Sequence, residues 1–256
     1  MLALSLAVLS SGGAGAEVSA NALARARAAE ARDDTQAALT LYLEALRVRP
    51  DDPVILQKVA RQYSDLADFQ PTVTAKKQYA ERALAYAERA ARLDPRSAID
   101  ELSLAICHGK LASWSDTREK IEYSRLVEVE ARRALALDPR YAWAHHVLGH
   151  WNGALASLSG SQRFFVRVFY GGLPPASYDE AIAQLREAVA LEPAEPCHRV
   201  ELGFAFLAVG RRDEARAEFL RAMAMPARAS FQQEEQARAR SALAELARGA
   251  ADGGRS

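Results

Sequence analysis

Three stretches of the chain carry the same apolar triplet: Ala38, Tyr42 and Ala45; Ala181, Leu185 and Ala188; Ala215, Phe219 and Ala222. Steps of four and three residues put each triplet on one face of a helix, whereas a strand would need steps of two. A shared phrase then closes each helix. Leu135-Ala136-Leu137-Asp138-Pro139 is echoed by Ala91-Arg92-Leu93-Asp94-Pro95, Leu46-Arg47-Val48-Arg49-Pro50 and Val189-Ala190-Leu191-Glu192-Pro193, and more weakly at Pro226. In the four clear copies an alanine (Ala45, Ala90, Ala134 or Ala188) stands five residues before the proline. Proline cannot continue a helix and biases its predecessor out of the α region, so each phrase reads as a helix end. The same junction can open the next helix. Asp52-Pro53 supplies a good N-cap followed by a proline suited to the first helical position.

The pattern resembles tetratricopeptide repeats, whose period is about 34 residues. The best match covers residues 200–226, with Leu202-Gly203 and Phe206, a turn at Gly210, then Ala215, Phe219 and Ala222. A second runs from His145 through Leu148-Gly149 and resumes at Ala181, Leu185 and Ala188, while an N-terminal copy opens near Ser19. Small residues at Gly149, Gly203, Ala181 and Ala215 let paired helices approach, and Leu185, Phe206 and Phe219 fill the gaps. The resemblance implies an all-α, right-handed α-solenoid of about five repeats. An amphipathic stretch at 231–247 supplies the C-terminal capping helix that such a stack needs. Pro50, Pro95, Pro139, Pro193 and Pro226 are 45, 44, 54 and 33 residues apart. The three middle repeats therefore carry insertions, placed at 65–74, 113–121 and 155–177.

A narrower likeness lies in the middle of the chain. Lys120-Ile121-x-x-Ser124, Ala131-x-x-Ala134-Leu135-x-Leu137-Asp138-Pro139 and Ala144-His145-x-x-Leu148-Gly149-x-Trp151 are followed by a long insertion ending Pro174-x-x-Ser177-x-x-Glu180-Ala181. Over roughly 84–246 this layout resembles the regulator of microtubule dynamics family, in a bacterial-type member. Eukaryotic members associate with microtubules or membrane contact sites, and phospholipid binding by the helical hollow is known in the family. The resemblance thus implies a binding protein.

Composition supports the helical reading: 54 of 256 residues are alanine, the best helix former, against 14 glycines and 10 prolines. Arginines outnumber lysines 28 to 5, as a GC-rich genome would produce. Equal numbers of basic and acidic side chains, 33 each, argue against a nucleic-acid partner. Two cysteines exclude a disulfide scaffold. Residues 1–16 read as a secretory signal: an apolar run at 2–9, then Ala14-Gly15-Ala16 before the cut. The run is too short to span a bilayer, which takes about 20 residues. The expected organisation is a signal at 1–16, one solenoid at 17–248 and a disordered tail at 249–256. The expected location is exported or periplasmic, with the cytoplasm as the alternative, and no membrane-spanning segment is expected after signal removal.

Candidate chemistry is sparse. His146 and His150 share a helix face at a spacing that can bind metal, but no third ligand is evident, and no metal or cofactor is expected. Cys107 and Cys197 fall a whole repeat apart, too far for a disulfide, and read as buried thiols. The chain lacks a nucleophile elbow, a phosphate loop and a dinucleotide-binding glycine pattern, so no catalytic residue is assigned. The most distinctive segment is 161–170, Ser-Gln-Arg-Phe-Phe-Val-Arg-Val-Phe-Tyr. As a helix it gathers Phe164, Phe165, Val168 and Phe169 on one arc, with Arg163 and Arg167 opposite. These aromatics either pack on the repeat they interrupt or form a lid (Phe164, Phe165, Phe169) or a peripheral membrane contact.

In the tetratricopeptide register the small residue of each first helix is position 8, and positions 2, 5, 9 and 12 line the inner curve. These are Ile99, Leu102, Ile106 and Gly109, then Trp143, His146, His150 and Gly153, then Cys197, Val200, Phe204 and Leu207. The strip is mostly apolar. It is filled by the insertions, holds a ligand or partner, or joins protomers. The expected function is a non-enzymatic scaffold holding a protein partner on this face. The alternative is a carrier of a phospholipid-like apolar ligand along Ile99, Leu102, Ile106, Trp143, His146, His150, Val200, Phe204 and Leu207. Intact-mass measurement of exported protein should give a chain starting at Glu17; retention of 1–16 in that fraction overturns the signal reading.

Overall fold

Local chemistry decides where the helices stop, and the stops set the architecture. The computed structural model describes residues 11–253, which form α1 (Ser11–Glu30), α2 (Thr35–Val48), α3 (Pro53–Ala67), α4 (Val73–Leu93), α5 (Ala98–Trp114), α6 (Thr117–Leu137), α7 (Ala142–Ala156), α8 (Gly160–Tyr170), α9 (Tyr178–Leu191), α10 (Pro196–Ala208), α11 (Arg212–Met223) and α12 (Ser230–Gly253). No strand occurs among the described residues. α2, α4, α6 and α9 each end two residues before the prolines of the repeated phrase. In each, the capping N–H donates back to the carbonyl of the alanine five residues before the proline: Ala45, Ala90, Ala134 and Ala188. Those alanines are fully buried. Asp52 caps α3 as expected, its carboxylate accepting from the N–H groups of Val54 and Ile55 with Pro53 at the first position.

Residues up to Arg96 and residues from Ser97 onward form two compact units. In the first, α1 pairs with α2 and α3 with α4 around Tyr42, Ile55, Leu56 and Val59. In the second, α5 pairs with α6, α7 with α9 and α10 with α11, and α12 closes the stack against α10 and α11. The five helix pairs and the cap match the expected repeats. Residues 1–10 and 254–256, parts of the expected leader and tail, lie outside the described residues. α1 opens at Ser11, inside the stretch read as leader, and α12 continues to Gly253, beyond the expected start of the tail.

The insertions differ from expectation. Proline spacing puts the first two at 65–74 and 113–121, yet the breaks are only Asp68 to Thr72 and Ser115-Asp116. The extra length is helical: α4 and α6 each run for 21 residues. Neither contains an internal Pro or Gly, so propagation from the caps Thr72 and Asp116 costs little. Only 155–177 departs from the repeat, as α8 plus an irregular return. α8 starts with a capping box between Ser159 and Gln162 and ends at Gly171 with φ 76°, a left-handed conformation that glycine adopts without strain.

In α7 and α10 the pairs pack closely because position 8 is glycine and carries no side chain. A Cβ on Gly149 would stand 2.5 Å from Cγ of Leu185 and 3.2 Å from the Ala181 carbonyl oxygen. A Cβ on Gly203 would meet the Phe219 ring at 2.5 Å. Gly149→Ala gains about 1 kcal/mol of helix propensity but overpacks a contact, at about 1–3 kcal/mol. We expect a net loss, read as a lower thermal midpoint by circular dichroism; a variant melting at or above the parent contradicts the close approach.

Candidate functional site

The first helices of the second unit form one layer, α5 touching α7, α7 touching α10 and α10 touching α12. The predicted inner positions fall on this layer, but they do not make a continuous apolar strip. Ile99 and Ile106 are exposed on α5, while Leu102 between them is buried against Ala144 and Leu148. Val200 is fully buried in the last core, where Phe204 and Leu207 pack from its edge. Position 5 therefore points into the contact between repeats in α5 and α10, which removes Leu102 and Val200 from any open groove. Cys107 and Cys197 are both buried free thiols. Burial, with Glu195 beside it, pushes the Cys197 thiol pKa up.

At α7 the layer becomes polar. Trp143 lies 5.0 Å from the His146 ring and 4.8 Å from the ring of His198, centroid to centroid, with Phe231 of α12 at 6.2 Å. The Nδ1 atoms of His146 and His198 are 3.0 Å apart, one donating its proton to the other's lone pair. His198 is fully buried, and its Nε2 has no hydrogen-bond partner among the described residues, with a Glu192 carboxylate oxygen at 3.6 Å. Burial lowers both pKa values, to about 4 for His146 and about 3 for His198, whose histidine neighbour adds to the effect. Both rings are therefore neutral near pH 7.

His150, four residues on, turns the other way. Its Nδ1 lies 3.0 Å from a carboxylate oxygen of Glu201, and that hydrogen bond raises its pKa against the opposing effect of burial. The His150 side chain is still 60% exposed, so water screens the pair and leaves the outer ring edge accessible. Arg238 of α12 reaches Glu201 at 2.7 Å and Glu235 at 2.7 Å, and its guanidinium lies 4.6 Å above the Phe204 ring. Burial works to raise the Glu201 pKa, but the hydrogen bond from His150 and the charges of His150, His146 and Arg238 outweigh it and hold Glu201 at about 2. His146 and His150 thus diverge to separate partners.

Sequence reasoning missed Glu201, Phe231, Glu235 and Arg238. The visible signal was on α12, where Phe231, Glu235 and Arg238 are spaced by four and three residues and so share a face. The expected lid is also displaced. Phe164, Phe165 and Phe169 are exposed on α8 and touch neither Trp143 nor the histidines through any ring contact among the described residues. α8 is held instead at α6, where Arg125 donates to the carbonyls of Tyr170 and Gly172. Phe164 and Phe165 are exposed, and Phe169 borders a crevice with Ile121 and Glu122 of α6.

Five helix pairs with a small residue at the crossing and a proline at each close define a tetratricopeptide-repeat protein. A thermophilic TPR protein of Thermus thermophilus superposes with a TM-score of 0.65 at 26% identity, over 88% of this chain and 98% of that one. MamA from Desulfovibrio magneticus RS-1 shares the fold at 16% identity and TM-score 0.50, over 80% and 93% of the two chains. The family described as regulator of microtubule dynamics protein 1-3 matches residues 22–247, and the chain belongs to it. Regulator of microtubule dynamics protein 1 of Bos taurus is 26% identical over 156 residues, 60% of this chain and 48% of the relative. The chain thus spans about half the length of that curated relative.

The residues behind the family likeness prove structural. His145 bridges the Pro139 carbonyl at 3.1 Å and Gln184 Oε1 at 2.6 Å, tying α7 to the preceding turn and to α9. Trp151 Nε1 donates to the carbonyl and hydroxyl of Ser124, at 2.7 and 3.1 Å, tying α7 to α6.

The buried histidines make stability acid-sensitive. Their folded pKa values lie below the unfolded value of about 6.5, so their stabilisation is complete above that pH and is lost as pH falls toward about 4 and about 3. Glu201 keeps its charge until about pH 2 and loses its stabilisation only below the ordinary carboxylate range. Stability should fall between pH 6.5 and 4 by about 1.4 kcal/mol per pH unit for each proton taken up on unfolding, read as a lower thermal midpoint. His198→Met should flatten this limb; an unchanged slope refutes the assignment.

Proposed function

We propose that this chain is a non-enzymatic scaffold that holds a protein partner on the layer formed by α5, α7, α10 and α12. The observation that carries the reading is the charged run His150, Glu201, Arg238 and Glu235, with Phe204 beneath Arg238, on a layer whose α5 also exposes Ile99 and Ile106. A peptide segment brings apolar side chains and hydrogen-bonding groups together, and so suits a face that alternates the two. When His150 is protonated, its outer N–H offers a donor to such a segment. An acyl chain would instead strip water from these ions and offer them no hydrogen bond in exchange, which disfavours the phospholipid reading. The bovine relative's name speaks of microtubule dynamics. For this chain the partner is defined by chemistry: an apolar residue for Ile99 and Ile106, and an acceptor for His150.

The test is cross-linking followed by affinity recovery from the native cell, with organic extraction of the purified protein alongside. Ile99→Glu with Ile106→Glu alters only exposed side chains and should abolish recovery of the partner. Val129→Glu, at an exposed position on α6, should preserve it. Equal recovery by both variants, or stoichiometric lipid in the extract, overturns the scaffold reading.

A further inference from the structure

Helix α8 is folded inside out. Its one buried side chain is Val166, which faces Leu155, Leu158, Leu173 and Pro174 in a small cavity beneath the helix. Arg163, on the same side, bends back to donate to the carbonyls of Ala156 and Leu158, at 2.7 and 3.0 Å, and so caps α7. The opposite arc carries Phe164, Phe165, Val168 and Phe169, at 68, 45, 56 and 66% exposure. A helix that packed for stability would turn this arc inward. Here Val166 and Arg163 face the protein and Phe164, Phe165 and Val168 face outward, while Phe169, still largely exposed, borders a crevice against Arg118, Ile121, Glu122 and Arg125 of α6.

The surrounding charge indicates what covers the arc. Residues 155–177 contain Arg163 and Arg167 and no Asp or Glu, in a chain whose charges otherwise balance at 33 each. Arg167, three residues after Phe164, stands at the rim between the arc and the cavity that Val166 and Arg163 also line. It is exposed and makes no hydrogen bond or ion pair among the described residues. Beside α8, α6 adds Arg118, paired with Glu122, and Arg125. An aromatic arc edged by arginine matches a surface whose apolar layer lies directly beneath an anionic one, which is the arrangement of an acidic lipid interface.

We infer that α8 is a membrane-surface contact, laying Phe164, Phe165, Val168 and Phe169 into an anionic lipid interface with Arg167 at the headgroups. The inference is separate from the scaffold reading, because it uses no residue of the inner layer. No helix of the described residues is long and apolar enough to cross a membrane, so the contact is peripheral.

The test is flotation of the full chain with vesicles of phosphatidylcholine containing phosphatidylglycerol, and with vesicles of phosphatidylcholine alone. The parent should float with the anionic vesicles and not with the neutral ones, and high salt should weaken the association. Phe164→Ser, Phe165→Ser and Phe169→Ser combined should reduce binding at least about tenfold without changing the helical spectrum, because these side chains are already exposed. Arg167→Glu alone should reduce it too, whereas Val129→Glu should not. Failure of the parent to float, or equal flotation of the serine variant, overturns the inference. Concentration-dependent self-association that the serines abolish, without lipid binding, assigns the arc to a second copy and overturns it as well.

Discussion

The structure depends on helices approaching closely through residues with almost no side chain. Gly149 against Leu185 and Ala181, and Gly203 against Phe219, leave no room for a methyl group. Around them the buried core is dominated by alanine. Such a core is thin. Its few large members, among them Tyr42, Phe219, Leu185 and Leu148, act as wedges that fix the angle of each pair. A stack built this way has little interior volume in which to house a ligand, which is why the proposed partner site lies on the layer of first helices.

α12 shows how the last repeat is closed without a following pair. Part of the closure is backbone capping: Gln236 donates to the Ala222 and Met225 carbonyls, at 2.7 and 2.8 Å, at the end of α11. The rest is Arg238, which covers the Phe204 ring and neutralises Glu201. One arginine serves packing and charge together, which is why the inner layer becomes ionic where the repeat pattern predicts apolar continuity. The neutral His146–His198 pair beside it shows the contrary solution, in which burial suppresses charge instead of pairing it.

The fold was legible because its signals are local. A proline ends a helix whatever surrounds it, and an alanine five residues earlier marks the last carbonyl to be satisfied, so the ends of α2, α4, α6 and α9 could be read directly. The lengths of α4 and α6 were less legible: residues 73–80 and 117–121 hold no strong helix signal, only the absence of a breaker. The site was half legible. Ile99, Ile106 and His150, at positions 2 and 9, are exposed, whereas Cys197 at position 2 and Leu102 and Val200 at position 5 are buried between repeats. Arg238 and Glu201 could not be paired in advance, because their meeting depends on which face of α12 docks.

The same distinction separates the two kinds of insertion. Extra residues in α4 and α6 lengthen a helix already in the stack and add nothing that the repeat lacks. The residues between α7 and α9 leave the stack, and once outside it α8 is no longer constrained by a partner helix. Arg163 caps the end of α7 by donating to the Ala156 and Leu158 carbonyls, in the orientation that turns Val166 toward the protein. That orientation presents the aromatics outward. Contiguous exposed apolar surface of this kind is uncommon on a protein with nothing to bind, and here it does not come from a poorly formed helix, since α8 is capped at both ends. Periodicity alone leaves Phe164, Phe165 and Phe169 free to point at the repeat, over the groove or away from both. The backbone carbonyls at the end of α7 select the last of these, and those hydrogen bonds keep the arc facing away from the fold.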